Sequence, residues 1–210
     1  MKIGILGTGN MAEGLGAAWM RAGHEVVIAG RSPVKAKALA DRLGTGTYAA
    51  APREAVTGQD AVLLAVAWTG VADILHSAGA AEGLLEGTPL IDPTNAVKHG
   101  VGILLTDADS MAERIAALAP GAHVVKALHL FPSTHWTNST TPDQRPVTVP
   151  ICGDHLSALK TVGDLVRDLG GVPTVLGPLA RARQLEEVAG FVIGLAFSGI
   201  DPSSAVPHLG

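Results

Sequence analysis

Lys2-Ile3-Gly4-Ile5-Leu6-Gly7-Thr8-Gly9-Asn10-Met11-Ala12 decides the fold. A mainly apolar run leads directly into the pattern G-x-G-x-x-A, and a helical pattern follows from Asn10 to Ala22. Strand, tight glycine turn and helix in this order are the signature of a dinucleotide-binding crossover. Gly7 permits the turn, and Gly9 lets a pyrophosphate approach the backbone. Ala12 is small enough for the helix to pack on the strand. The helix N-terminus adds free N–H groups and a partial positive charge for the phosphates.

The second strand bears on which dinucleotide is bound. A site for NAD usually carries Asp or Glu at the end of that strand, about 20 residues on, to hold the ribose hydroxyls. Here the strand His24–Ala29 runs into Gly30-Arg31-Ser32, with no carboxylate. Arg31, Ser32 and Lys35 gather where a 2′-phosphate would sit, and guanidinium suits bidentate phosphate contact. An absent acid and present bases favour NADP(H). Ser32 followed by Pro33 also reads as an N-cap and first helical residue.

Further outward, short apolar runs alternate with helical patterns. The runs are Ala61–Ala67, Pro89–Asp92, Val124–Leu128, Val147–Cys152 and Pro173–Leu176. The helical patterns are Pro33–Leu43, Val71–Ala78, Asp109–Leu118, His155–Leu169 and Leu179–Phe197. Near-continuous apolar strands imply a parallel sheet covered on both faces. The reading is α/β: a Rossmann-type doubly wound parallel sheet with right-handed crossovers and a small C-terminal α/β extension. The Rossmann domain spans 1–146, and the extension 147–210 supplies the substrate side and dimer contacts. Two long stretches, Asp92–Thr106 and His129–Pro146, read as loops that open at the carboxyl edge of the sheet, where ligands bind.

Composition narrows the function. The chain has 210 residues, 47% of them hydrophobic and 16% charged, which fits one folded α/β unit. A net charge of -4 gives no electrostatic case for nucleic acid or an anionic membrane surface. The single cysteine, Cys152, excludes an internal disulfide framework and a multi-cysteine metal site. No apolar run approaches the roughly 18 residues of a membrane span, and the interrupted N-terminal run is not a signal peptide. The expectation is a soluble cytoplasmic protein that binds no metal. With 26 glycines and 3% aromatic residues, backbone rather than rings must approach a ligand.

Other chemistries find little support. There is no G-x-S-x-G elbow and no short-chain-dehydrogenase Lys and Tyr pattern. His129 and His135 with one distant cysteine do not make a zinc site. Glu186-Glu187 reads as surface. Hydride transfer between two bound cofactors, by contrast, needs stacking and water exclusion more than acid–base groups.

The chain resembles the F420-dependent NADP oxidoreductases. The similarity lies in Gly7–Ala12, Gly23–Val27, Gly30–Ser32 with Lys35, and Ala61–Trp68. It continues in Ala127–His129 with Phe131-Pro132, Val149–Asp154, and Gly177–Leu179 with Arg183. The resemblance implies hydride exchange between NADP(H) and a 5-deazaflavin, coenzyme F420. It implies cofactor contacts at Thr8, Gly9, Asn10, Met11, Arg31, Lys35 and Val66, with Asn95 near the nicotinamide ribose. It also implies that His129, as an orienting or polarising group, and Phe131, Pro132 and Ser133 face the deazaflavin. Family members are homodimers whose C-terminal helices pack together.

Several readings stay open beside it. His129 is either a site residue or a hydrogen-bonded histidine at a strand end. Trp68 is either packing or a cofactor lid, and Phe191–Phe197 either core, dimer interface or substrate wall. The acceptor is alternatively a small imine, enamine or carbonyl, with a proton donor such as His135. A protein that senses NADP(H) or binds a partner without turnover is the reading of another class.

Overall fold

A computed structural model describes residues 1–106, 108–137 and 146–206. One eight-stranded sheet runs through it in the order β3-β2-β1-β4-β5-β6-β7-β8. The strands are β1 (Lys2–Leu6), β2 (Glu25–Ala29), β3 (Thr47–Ala49), β4 (Ala61–Leu64), β5 (Pro89–Asp92), β6 (His123–Lys126), β7 (Thr148–Gly153) and β8 (Val172–Gly177). β1 to β6 are mutually parallel, as the apolar runs imply. The order reverses at β1, between β2 and β4, which is the switch point of a doubly wound sheet.

Among the described residues, eight α-helices cover the two faces: α1 (Asn10–Arg21), α2 (Pro33–Leu43), α3 (Pro52–Val56), α4 (Val71–Ser77), α5 (Met111–Leu118), α6 (Ser133–Thr137), α7 (Leu156–Asp168) and α8 (Ala182–Phe197). Alternation along β1 divides the core. Ile3 and Ile5 pack with Leu15 and Trp19 of α1, Leu39 of α2 and Val162 and Leu165 of α7. Leu6 joins the opposite layer with Ile74 of α4, Ile115 of α5 and Leu185 of α8. Each such fully buried aliphatic side chain stabilises the fold by about 1.5–3 kcal/mol. Trp19, fully buried, donates its indole N–H to Leu165 O at 3.1 Å and so ties α1 to α7.

Four features differ from the sequence expectation. β7 runs antiparallel to β6, with Lys126 opposite Cys152, and only β8 returns to parallel pairing, on β7. β3 and α3 are too short and too polar to stand out as periodic segments. The Asp92–Thr106 stretch is not structureless. Val97 and Leu104 form an antiparallel bridge, and Lys98 N and Leu105 N donate to Ile103 O and Ala96 O, each at 2.7 Å. The start of the second predicted loop is the helix α6, whose Trp136 is buried in the core against α1. Residues 138–145 of that stretch and the last four residues lie outside the described ones.

The Ala96–Thr106 turn is fastened to α8 through glycines. A Cβ on Gly190 would lie 2.2 Å from Gly102 O, and one on Gly194 would lie 2.9 Å from Val101 O. Only hydrogen fits at these contacts, so Gly190-x-x-x-Gly194 admits a backbone where a side chain would collide. Beyond this groove, Val188, Phe191 and Phe197 of α8 and Val101, Ile103 and Leu105 of the turn are exposed. At the sheet's flank, β8 exposes Val172 and Val175.

Candidate functional site

A cleft of about 550 Å³ opens at the carboxyl ends of β1, β2 and β4. It is lined by Gly7, Thr8, Gly9, Gly30, Arg31, Ser32, Lys35 and Val66, together with Ala65, Ala67, Thr69, Gly70 and Ile74. Seven residues expected to bind the cofactor therefore meet in one place. Gly7 has φ +148, and a Cβ there would sit 2.0 Å from Ala65 O, so the neighbouring strand end enforces this glycine. Gly9 has open space where its Cβ would be, and it offers α1 no side-chain cap. The first-turn N–H groups of α1 thus face a cradle that a side chain would fill, which fits a pyrophosphate.

The β2 end carries positive charge only. Arg31 and Lys35 are exposed at the cleft. Ser32 caps α2, its hydroxyl accepting from Lys35 N at 3.3 Å, and Pro33 occupies the first turn. Sequence reasoning missed the far wall, Thr69, Gly70 and Ile74, because it is a short 3₁₀ turn entering α4. Trp68 is half-buried against the core and does not line the cleft.

The remaining expected residues lie outside this cleft. Asn10 and Met11 open α1 beside it. Asn95, after β5, donates its Nδ2 hydrogen to His129 O at 2.7 Å, so the loops after β5 and β6 are tied together. Asn95 Oδ1 is buried without a hydrogen-bond partner. Phe131 packs on the core and contacts His135 and Trp136, while Pro132 is exposed and Ser133 starts α6 close against Gly14 of α1.

His129 is 5% exposed, and neither ring nitrogen meets a partner at hydrogen-bonding geometry. The His129 carbonyl, for its part, accepts the hydrogen bond from Asn95. Burial lowers its pKa to about 3, with the Lys126 charge acting the same way and the Leu185 backbone opposing. The ring is neutral at physiological pH. Leu128, immediately before it, is buried and has φ 61, a left-handed conformation uncommon outside glycine.

Below these loops lies a group that sequence reading misassigned. Glu186 is fully buried, not on the surface. Its Oε1 is 2.9 Å from Lys126 Nζ, and Lys126 Nζ is 3.0 Å from Asp92 Oδ2; all three side chains have zero exposure. Glu187, by contrast, is exposed and pairs with Arg183 at 3.3 Å. A charged sequence neighbour concealed the burial of Glu186, since its partners come from distant strands. Cys152 on β7 is buried nearby, and burial pushes its thiol up to about 12, so it is no nucleophile.

Comparison with known proteins agrees with this geometry. Residues 2–96 match the family described as NADP oxidoreductase coenzyme F420-dependent. That segment is similar to members of the family. Over its wider length the chain is 31% identical to metalloreductase STEAP3 of Rattus norvegicus, across 89% of this chain and 36% of that protein. The chain thus spans about a third of the length of the curated relatives it matches. Among solved structures it is similar to a hypothetical protein, SMa0349, from Sinorhizobium meliloti, with 26% identity, TM-score 0.75 and coverage of 87% and 88% of the two chains. A protein from Arthrobacter sp. FB24, provisionally assigned as an F420-dependent NADP reductase, superposes with TM-score 0.80 over 96% of both chains at 24% identity. The fold is that of NADP-binding reductases. No described helix is long and apolar enough to cross a membrane.

Proposed function

We propose that the protein is an oxidoreductase that transfers hydride between NADP(H) and a deazaflavin, coenzyme F420. The observation that carries this reading is the cleft in which Gly7, Thr8 and Gly9 meet Arg31, Ser32 and Lys35 with no carboxylate at the end of β2. Gly9 and the first turn of α1 would hold the pyrophosphate. Arg31 and Lys35 would hold the 2′-phosphate, Arg31 through paired N–H donors. Val66 would pack on the cofactor beyond the strand end, and Asn95 would meet its second ribose. When bound, the nicotinamide supplies or accepts the hydride. His129, Phe131, Pro132 and Ser133 would border the acceptor, whose neutral surroundings exclude water rather than donate protons.

The direct test mixes folded, NADPH-loaded protein with oxidised F420 and follows the deazaflavin's visible absorbance. Bleaching at a rate proportional to protein supports the reading. Its absence, in protein shown to bind NADPH, removes F420 as the acceptor.

A second reading takes a metal ion as the final acceptor, favoured by the 31% identity to a metalloreductase across 89% of this chain. A hydride carries two electrons and a ferric or cupric ion accepts one. This reading therefore needs a flavin-type carrier between them. NADPH oxidation that depends on added flavin and reduces a ferric chelate would select it over the first.

We also propose a homodimer through the exposed side of α8, where Val188, Phe191 and Phe197 lie beside Val101 and Ile103. The segment 147–210 would supply these contacts and the acceptor side, and 1–146 the cofactor side.

A further inference from the structure

The buried charge cluster beneath the loops has no task in the reading above. Every polar atom in it is engaged. Lys126 Nζ donates to Asp92 Oδ2 and to Thr94 O and is ion-paired with Glu186 Oε1 at 2.9 Å. Asp92 Oδ1 accepts from Thr94 N at 2.8 Å and Thr94 Oγ1 at 2.6 Å. Glu186 accepts from Met111 N at 2.9 Å and Ala112 N at 3.3 Å, the first turn of α5, whose dipole offsets the second carboxylate.

Apolar residues of similar volume usually stabilise a core as well as such a cluster does. What the cluster fixes is geometry. Asp92 ends β5 and Lys126 ends β6, both at the carboxyl edge. Together they clamp the Asp92–Asn95 turn by both its side chains and its backbone. Asn95 leaves that turn and binds the His129 carbonyl, so one lysine sets the backbone of both loops. A dinucleotide lies across the switch point with its adenosine half over β1 and β2 and its other half toward β4 and β5. The clamped turn therefore borders the nicotinamide half, and Asn95 Oδ1 is an acceptor left without a partner there.

We propose that Lys126, Asp92 and Glu186 are positioning residues for the nicotinamide half of the cofactor, acting through Asn95. The proposal rests on the NADP(H) reading. Glu186→Gln tests it, because in either amide orientation an NH₂ group faces Lys126 or the α5 N–H donors. Two ligands are titrated: NADPH, and 2′,5′-ADP, which has only the adenosine half.

For Glu186→Gln, 2′,5′-ADP affinity stays within about twofold of wild type, while NADPH affinity and kcat each fall about tenfold. Thr94→Val removes one bond to Asp92, leaves the three charges in place, and moves NADPH in the same direction should Glu186→Gln fold poorly. Equal weakening of both ligands would mean general loosening of the fold and overturns the proposal, as does no change in either. A wild-type chain that binds neither ligand overturns the cofactor reading, and this proposal with it.

Discussion

Lowering the pH from 7.5 to 4.5 should destabilise the protein through His129. The ring is 5% exposed and its pKa falls from 6.5 to about 3 in the fold. In the unfolded chain the imidazole regains its ordinary value and binds a proton first. Stability from the buried neutral ring is therefore complete above pH 6.5 and declines as pH falls toward 3. At about 1.4 kcal/mol per pH unit the loss reaches roughly 2 kcal/mol by pH 5 and about 5 kcal/mol at its limit. Against a typical total of about 5–15 kcal/mol, that is a substantial fraction of the stability. His123, stacked on His155 with ring centroids 3.6 Å apart, has its pKa lowered by burial and adds in the same direction. The carboxylates of Glu13, Glu82, Asp164 and Asp201 are held below their ordinary values, chiefly by hydrogen bonds from Arg42, Arg53, Lys160 and Ser203, and being largely solvated they contribute little. Denaturant unfolding of wild type and His129→Leu between pH 7.5 and 4.5 measures the effect. Leu fills the site without orphaned nitrogens, so the variant should lose about 2 kcal/mol less between pH 7 and 5. Parallel curves for the two proteins, or a native-state His129 NMR titration near 6.5, would refute the reasoning.

Three further outcomes follow from other parts of the molecule. Arg31→Ala should weaken NADPH by about 1.5–3 kcal/mol, ten- to a hundredfold, and leave NADH nearly unchanged, which isothermal titration of both cofactors checks. Gly190→Ala places a Cβ 2.2 Å from Gly102 O and should lower the unfolding free energy by about 1–3 kcal/mol; an unchanged melting temperature would show that the turn yields easily. Phe191→Asp should convert the proposed dimer to monomer in light scattering without altering NADPH affinity, since the residue is exposed on α8 and absent from the cleft.

Much of the cofactor side was legible because its information is local. Gly7, Gly9, Arg31, Ser32 and Lys35 sit within two strand–helix turns, and strand order brings those turns together. The acceptor side was less legible for the opposite reason. Glu186 is buried only because Lys126 and the first turn of α5 come to meet it from elsewhere in the chain. The helix α6 has no amphipathic repeat of its own. Trp136, packed against α1, and the Gly14 backbone that admits Ser133 hold it in place. β7 has the same apolar composition as its parallel neighbours, and its reversed direction depends on how the preceding segment returns to the sheet.

The exposed valines of β8 have a consequence for how the chain fails when stressed. The sheet has two open flanks. The β3 flank is only three residues long and too short to recruit another chain. The β8 flank is six residues long, with Val172 and Val175 uncovered and, among the described residues, no strand paired along its outer side. Pro173 interrupts that edge by lacking an N–H, a common guard against edge-to-edge growth. Aggregation on partial unfolding should therefore start at β8, with Pro173 as its gatekeeper. Light scattering of Pro173→Val against wild type near the melting temperature would register the loss of that guard.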